Sequence, residues 1–141
     1  MDHVVYTDAK EKEMEALITG VKTMIIRGAA GRKLPYGRVN LGDTLYFMNN
    51  DGECRVRAKG DVTDVFNSDR LSEDESVSLV KKNQDNLQLS EKQFRRWAGK
   101  RYIVLIRLAN TTIIEPFAID KSNYGNMDDW LPVEDINNVK I

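Results

Sequence analysis

Apolar residues recur along this chain with two periods, near two and near four, and the switches between them predict most of its elements. Residues 101–109, RYIVLIRLA, hold a long apolar run and predict a central strand. Residues 44–49, TLYFMN, and 21–27, VKTMIIR, are rich in aromatic and β-branched side chains and predict two more. Residues 54–66, CRVRAKGDVTDVF, alternate as a half-buried strand does, with a break expected at Gly60. Residues 3–6 predict a short β segment, and the tail after Thr111 predicts short β segments and loops.

Between these runs the period lengthens. Met14, Leu17 and Ile18 fall on one helical face, with Asp8 as the expected N-cap, Glu11 as its capping-box partner and Gly20 as the stop. Ser72 with Glu75, and Ser90 with Gln93, mark the starts of two further helices. Phe94 and Trp97 share a face of the last one, which Gly99 ends. The Gly- and Pro-rich stretch from Gly28 to Gly42 excludes a helix or a central strand, and Asn50-Asp51-Gly52 predicts a hairpin turn. The order is roughly βαββ(β)ααβ(β). It predicts an α+β fold, with a small, mixed, mostly antiparallel sheet curled into a barrel and helices at its side.

Composition narrows the class. At 141 residues, 41% hydrophobic and 30% charged, with no linker or repeat, the chain predicts a single globular domain over 1–141. Single Cys and His residues, Cys54 and His3, leave no disulfide, no zinc cluster and no persuasive Cys–His nucleophile, so no metal or other cofactor is expected. With no targeting segment and no apolar run of membrane-spanning length, the expectation is a soluble, cytoplasmic protein. The net charge of -1 names no partner, and the sequence does not decide the oligomeric state.

Charge is nevertheless uneven. Between positions 22 and 59 lie eight cations (Lys22, Arg27, Arg32, Lys33, Arg38, Arg55, Arg57, Lys59) against three acids (Asp43, Asp51, Glu53), as an anion-facing surface would require. The alternative is a solvated face whose charges pair locally. In the loop after Gly28, small residues let backbone N–H groups approach a ligand. Arg32, Lys33 and Arg38 are suited to phosphate and Tyr36 to stacking on a base, although a plain connection reads the same way. No Gly-Lys-Ser/Thr ending makes it a Walker loop. Trp130 is a second stacking candidate or else a plug at the end of the barrel, and Trp97 reads as a core residue. Asp128 and Asp129 are a candidate carboxylate or metal pair, but adjacent residues of an extended chain face opposite ways.

The octapeptide Gly20-Val21-Lys22-Thr23-Met24-Ile25-Ile26-Arg27 resembles the motif Gly-x-Lys-x-x-Glu-x-Arg of the ASCH domains, which are PUA-like barrels. Gly20, Lys22 and Arg27 match, and the Lys22-Thr23 pair is usual there. Gly42-Asp43-Thr44-Leu45 is similar to the family's lead into the next strand. The resemblance covers roughly residues 3–118. The rest, 119–141, forms an extension whose Asn126-Met127-Asp128-Asp129-Trp130 is similar to that of a bacterial subgroup. It implies a cleft beside the barrel that binds RNA or a modified base, with Lys22, Thr23 and Arg27 at its floor.

One departure matters. Ile25 stands where the family has Glu, and where its amidohydrolases of acetylated cytidine have Thr. A hydrocarbon side chain can be neither nucleophile nor acid–base group. The leading expectation is therefore an RNA- or nucleotide-binding module without a catalytic residue. The alternatives are a hydrolase of modified nucleosides or RNA, drawing on Glu53, Glu115, Asp128 or Asp129, and a protein-interaction domain working through residues 71–98.

Overall fold

The computed structural model describes residues 1–125 and 129–141. Six strands form one curled sheet: β1 (Asp2–Thr7), β2 (Met24–Ala29), β3 (Thr44–Asn49), β4 (Arg55–Asn67), β5 (Tyr102–Ala118) and β6 (Trp130–Glu134). Their order is β2-β5-β4-β3-β1-β6. Every pairing is antiparallel except β1 with β3, which runs parallel in the register Asp2 to Thr44 through Thr7 to Asn49. The two end strands do not pair with each other, so the sheet is a half-barrel. Helix α1 (Glu13–Thr19) follows β1, and α2 (Glu73–Lys82), α3 (Gln84–Leu87) and α4 (Glu91–Trp97) lie between β4 and β5.

The curl has a local cause. The β4–β5 register shifts three times, between Val56 and Ala58, Lys59 and Asp61, and Val62 and Asp64. Bulges of this kind bend and twist a strand. Gly60 sits at the middle shift, where a Cβ would come within 2.7 Å of the Thr111 hydroxyl.

Alternation then sorts the apolar side chains onto two faces. Ile25, Phe47, Val104, Ile106 and Leu108 point into the concave core, which α1 closes with Met14 and Leu17. Met24, Ile26, Ile103 and Leu105 point outward beneath Val80, Leu87 and Trp97 of the helices. Burial on both faces is why β2 and the first half of β5 read as unbroken apolar runs. A third cluster joins Val4, Met48 and Val56 to Leu131, Val133, Ile136 and Val139, so the tail contributes both a strand and part of the core.

Three expectations are corrected. Strand β2 begins at Met24, not at Val21, because Lys22 turns inward to an ion pair and a backbone carbonyl. Strand β5 runs to Ala118, well past the expected end at Ala109, since it continues to pair with β4 through the polar stretch Asn110-Thr111-Thr112 and beyond. At α1, Asp8 accepts from the Glu11 N–H (3.2 Å), but the acid that reaches back to the Asp8 N–H is Glu13 (3.1 Å). The capping boxes at Ser72–Glu75 and Ser90–Gln93 are both complete. Among the described residues, no helix is long and apolar enough to cross a membrane.

Candidate functional site

A cleft of about 280 Å³ lies where the end of β2, which takes in Gly28 and Ala29 of the expected loop, and the loop that follows meet α4 and the start of β5. Its floor is Arg27. Strand pairing fixes this residue opposite Val104, and its guanidinium lies near two indoles. The Arg27 Cζ lies 5.7 Å from the ring centroids of both Trp97 and Trp130, within cation–π range. Nη1 donates to the Ile26 carbonyl (2.8 Å) and Nη2 to the Tyr6 carbonyl (2.7 Å). Nε has no hydrogen-bond partner among the described residues, and the nearest carboxylate oxygen among them, Asp129 Oδ2, is 4.0 Å away. Burial presses the Arg27 pKa down against the pull of Glu13 and Asp129. A guanidinium remains charged at neutral pH all the same.

The walls are basic and aromatic. Lys33 and Tyr36 come from the loop, Arg96 and Trp97 from α4, and Lys100 and Tyr102 from the turn into β5. The Arg96 guanidinium stacks 4.4 Å from the Trp97 ring centroid and donates from Nη2 to Asp129 Oδ2 at 3.2 Å. Tyr36 and Tyr102 meet edge to face, with the Tyr36 hydroxyl donating to the Ser68 carbonyl. Gly28 leaves little room for a side chain: a Cβ there would lie 2.9 Å from Ile103 Cδ1 and 3.1 Å from Lys100 Cβ, so both would have to give way slightly. Among the described lining residues, four cations face one carboxylate, Asp129.

The structure thus brings together Arg27, Lys33 and Tyr36 of the expected set, while Trp130, in the same lining, is 4% exposed in the core, the buried plug and not an open stacking surface. It places the others elsewhere. Lys22 was expected to be at least partly open to a concavity. It is only 3% exposed, donates from Nζ to the Leu87 carbonyl (2.6 Å), and pairs with Glu13 at 3.2 Å. Both charges of this pair are buried, and Lys22 does not line the cleft. Burial lowers the Lys22 pKa, opposed by Glu13. Thr23 faces Asn86, donating from its hydroxyl to Oδ1 at 3.2 Å. Arg32 is exposed at the rim, its Cζ 5.6 Å from the Tyr36 and Tyr102 rings, and Arg38 is exposed outside the lining. Sequence reasoning missed Arg96, Lys100 and Tyr102, while Trp97 is the core residue it was read as and also lines the cleft. The available signal was four cations around one aromatic, Arg95, Arg96, Lys100 and Arg101 about Trp97.

The acids weighed for catalysis do not converge. Glu53 pairs with Arg57 on the β3–β4 turn, and Glu115 lines a separate apolar groove with Met14, Ile18 and Ile113. Asp128 lies outside the described residues. No group of three or more His, Cys, Asp or Glu among the described residues is placed to hold a metal ion. None of the described large exposed hydrophobics falls within 71–98, the segment considered for protein contacts.

Trp130 owes its position to a buried relay. Its Nε1–H donates to His3 Nδ1 (3.0 Å), so the His3 proton is on Nε2, which donates to Asp43 Oδ2 (2.8 Å). Protonating His3 would set a second N–H against the indole N–H. Burial accordingly lowers the His3 pKa, despite the Asp43 bond that raises it. A histidine whose folded pKa is depressed stabilises the fold above its unfolded pKa of about 6.5, and that stabilisation is lost as pH falls through the folded value. Urea unfolding between about pH 7 and 5 is expected to show falling stability, with quenched or shifted Trp130 emission. His3 is the single histidine, so a His3→Phe variant should lose most of this pH slope. An equal slope in the variant would place the titration elsewhere.

No protein-family profile matches this chain. No curated protein matches it either. Among solved structures, the half-barrel with its flanking helices is similar in fold to an ASCH protein from Zymomonas mobilis, with a TM-score of 0.65 at 19% identity over 94% of this chain and 89% of that one. A variant of that protein gives a TM-score of 0.67 at 17% identity, covering 94% of this chain and 89% of the variant. The chain therefore has an ASCH-like fold, as the motif around Lys22 and Arg27 implied.

Proposed function

We propose that this protein binds single-stranded RNA or a nucleotide in the cleft over Arg27. The observation that carries the reading is the combination of Lys33, Arg96 and Lys100 with the half-buried rings of Tyr36 and Tyr102 around one buried guanidinium. Cations supply the sequence-independent attraction to phosphate, and planar side chains supply stacking for a base. A cleft of about 280 Å³ is at the small end of ligand sites, suited to about one nucleotide rather than a duplex.

Chemistry on the bound base is not part of the proposal. The motif's centre, Ile25, is 1% exposed in the core and brings no reactive group to the cleft. Short RNA titrated onto the protein at low salt should bind, with affinity falling as salt rises, and acetylated cytidine should pass through unchanged on chromatography. No binding at low salt would remove the nucleic-acid reading. Turnover of acetylated cytidine would replace it with an enzymatic one.

A further inference from the structure

At the cleft floor a buried, incompletely satisfied guanidinium lies close to one of the protein's own carboxylates. Arg27 is 8% exposed, and its Nε is buried without a hydrogen-bond partner among the described residues. A charged donor left unsatisfied in a buried site is costly to retain unless something completes it. The nearest carboxylate oxygen among those residues is Asp129 Oδ2, too far at 4.0 Å to accept from Nε and already accepting from Arg96 at 3.2 Å. A smaller pit of about 20 Å³ lies on the far side, and Arg27, Arg96, Trp97 and Asp129 line both spaces. The Asp129 carboxylate therefore belongs to their common wall. Its backbone carbonyl is fixed by the Tyr6 N–H at 3.0 Å, so the side chain can turn away without moving the strand.

Charge counting points the same way. Glu13 is already matched by Lys22, which leaves two guanidiniums, Arg27 and Arg96, against the single charge of Asp129 among the described residues. A phosphate monoester carries between one and two negative charges at neutral pH and offers three acceptor oxygens. It can meet the unsatisfied Arg27 Nε and Arg96 together, as a carboxylate held at 4.0 Å does not. An internal phosphodiester carries one charge and must continue in both directions. At this depth, between Trp97 and Trp130, an end group fits more readily than a chain passing through.

We infer that Arg27 and Arg96 form a socket for a terminal phosphate monoester, of a mononucleotide or an RNA end, and that Asp129 is the internal counter-ion it displaces. The inference rests on the nucleotide-binding reading of the cleft and narrows it. Asp129 then sets selectivity, since it repels weakly charged ligands from the socket and yields only to a group that pairs better with both guanidiniums.

The test compares one short single-stranded RNA carrying a 5′-phosphate, a 3′-phosphate or neither, together with adenosine monophosphate, adenosine and inorganic phosphate. Tryptophan emission serves as the readout. The phosphorylated member of at least one pair should bind about tenfold more tightly than its unphosphorylated form. Asp129→Asn should tighten that binding and narrow the preference, because the competing anion is gone. Arg96→Gln, at a half-exposed position that keeps the fold, should abolish the preference. Equal binding of all three RNAs by the unaltered protein overturns the socket and leaves RNA binding standing. Binding of inorganic phosphate, sensitive to Arg96→Gln, without any RNA binding keeps the socket and removes the RNA reading. Failure of every ligand at low salt removes both.

Discussion

Replacing Lys22 with Ala is expected to cost the fold about 3–5 kcal/mol, the range for removing one partner of a buried ion pair. The reason lies in what remains. Glu13, buried on α1, would lose the Lys22 ammonium at 3.2 Å, and the Leu87 carbonyl would lose the Lys22 Nζ that donates to it at 2.6 Å. Water cannot replace either readily, because Lys22 is 3% exposed. Removing the stranded charge should restore part of the loss. In a double variant, Lys22→Met with Glu13→Gln, the amide oxygen introduced on α1 can still accept from the Asp8 N–H, as Glu13 Oε1 does now. Urea unfolding of the two variants checks this. A loss below about 1 kcal/mol in Lys22→Ala, typical of a surface pair, would show Lys22 to be solvated and open to ligand.

This expectation inverts the role that the family motif implies for Lys22. Gly20, Lys22 and Arg27 match the motif, but only Arg27 reaches the cleft. The difference follows from strand phase and from Glu13. Lys22 precedes β2 and is drawn beneath α3 by the Leu87 carbonyl, whereas Arg27 lies within the strand on the face of Ile25, opposite Val104, with its guanidinium held by the Ile26 and Tyr6 carbonyls. Motif spacing fixes neighbours along the chain. It carries no information about which acid, nine residues upstream on α1, will claim the lysine.

Other parts of the fold were legible because local signals agree with the tertiary ones. The Ser72 and Ser90 capping boxes need only three-residue spacing, and β3 matches its apolar run from Thr44 to Asn49. The second half of β5 was not legible. Asn110, Thr111 and Thr112 carry no apolar signal, and they are strand only because β4 offers a partner, with Lys59 opposite Thr112. The tail strand β6 is held by β1, with Trp130 opposite Val5, across more than a hundred residues. The cleft repeats this lesson. Arg96 and Lys100 are far from Arg27 in sequence and meet it because β2 pairs with β5, just beyond α4.

The same geometry separates two sets of cations that look equivalent in the sequence. Lys33, Arg96 and Lys100 line the cleft, while Arg38 is exposed outside it. Substituting the first three with Ala should weaken RNA binding on the order of a hundredfold at about 50 mM salt, since each phosphate contact to a single strand contributes about 0.7 to the log–log salt slope. Their exposed positions should keep the stability change within about 0.5 kcal/mol apiece. Arg38→Ala, by contrast, should leave affinity within about twofold, because a charge outside the contact acts only through screened solvent.

The central claim is that this cleft, and not the basic segment at large, is where nucleic acid binds. The most direct measurement is the dissociation constant of one short single-stranded RNA, followed across salt from about 50 to 200 mM. It would be made for the unaltered protein, for Arg38→Ala, and for the triple variant Lys33→Ala, Arg96→Ala, Lys100→Ala. The account predicts a steep salt dependence that Arg38→Ala preserves and that the triple variant flattens by about two units of log–log slope. A triple variant that binds with unchanged affinity and slope would contradict it.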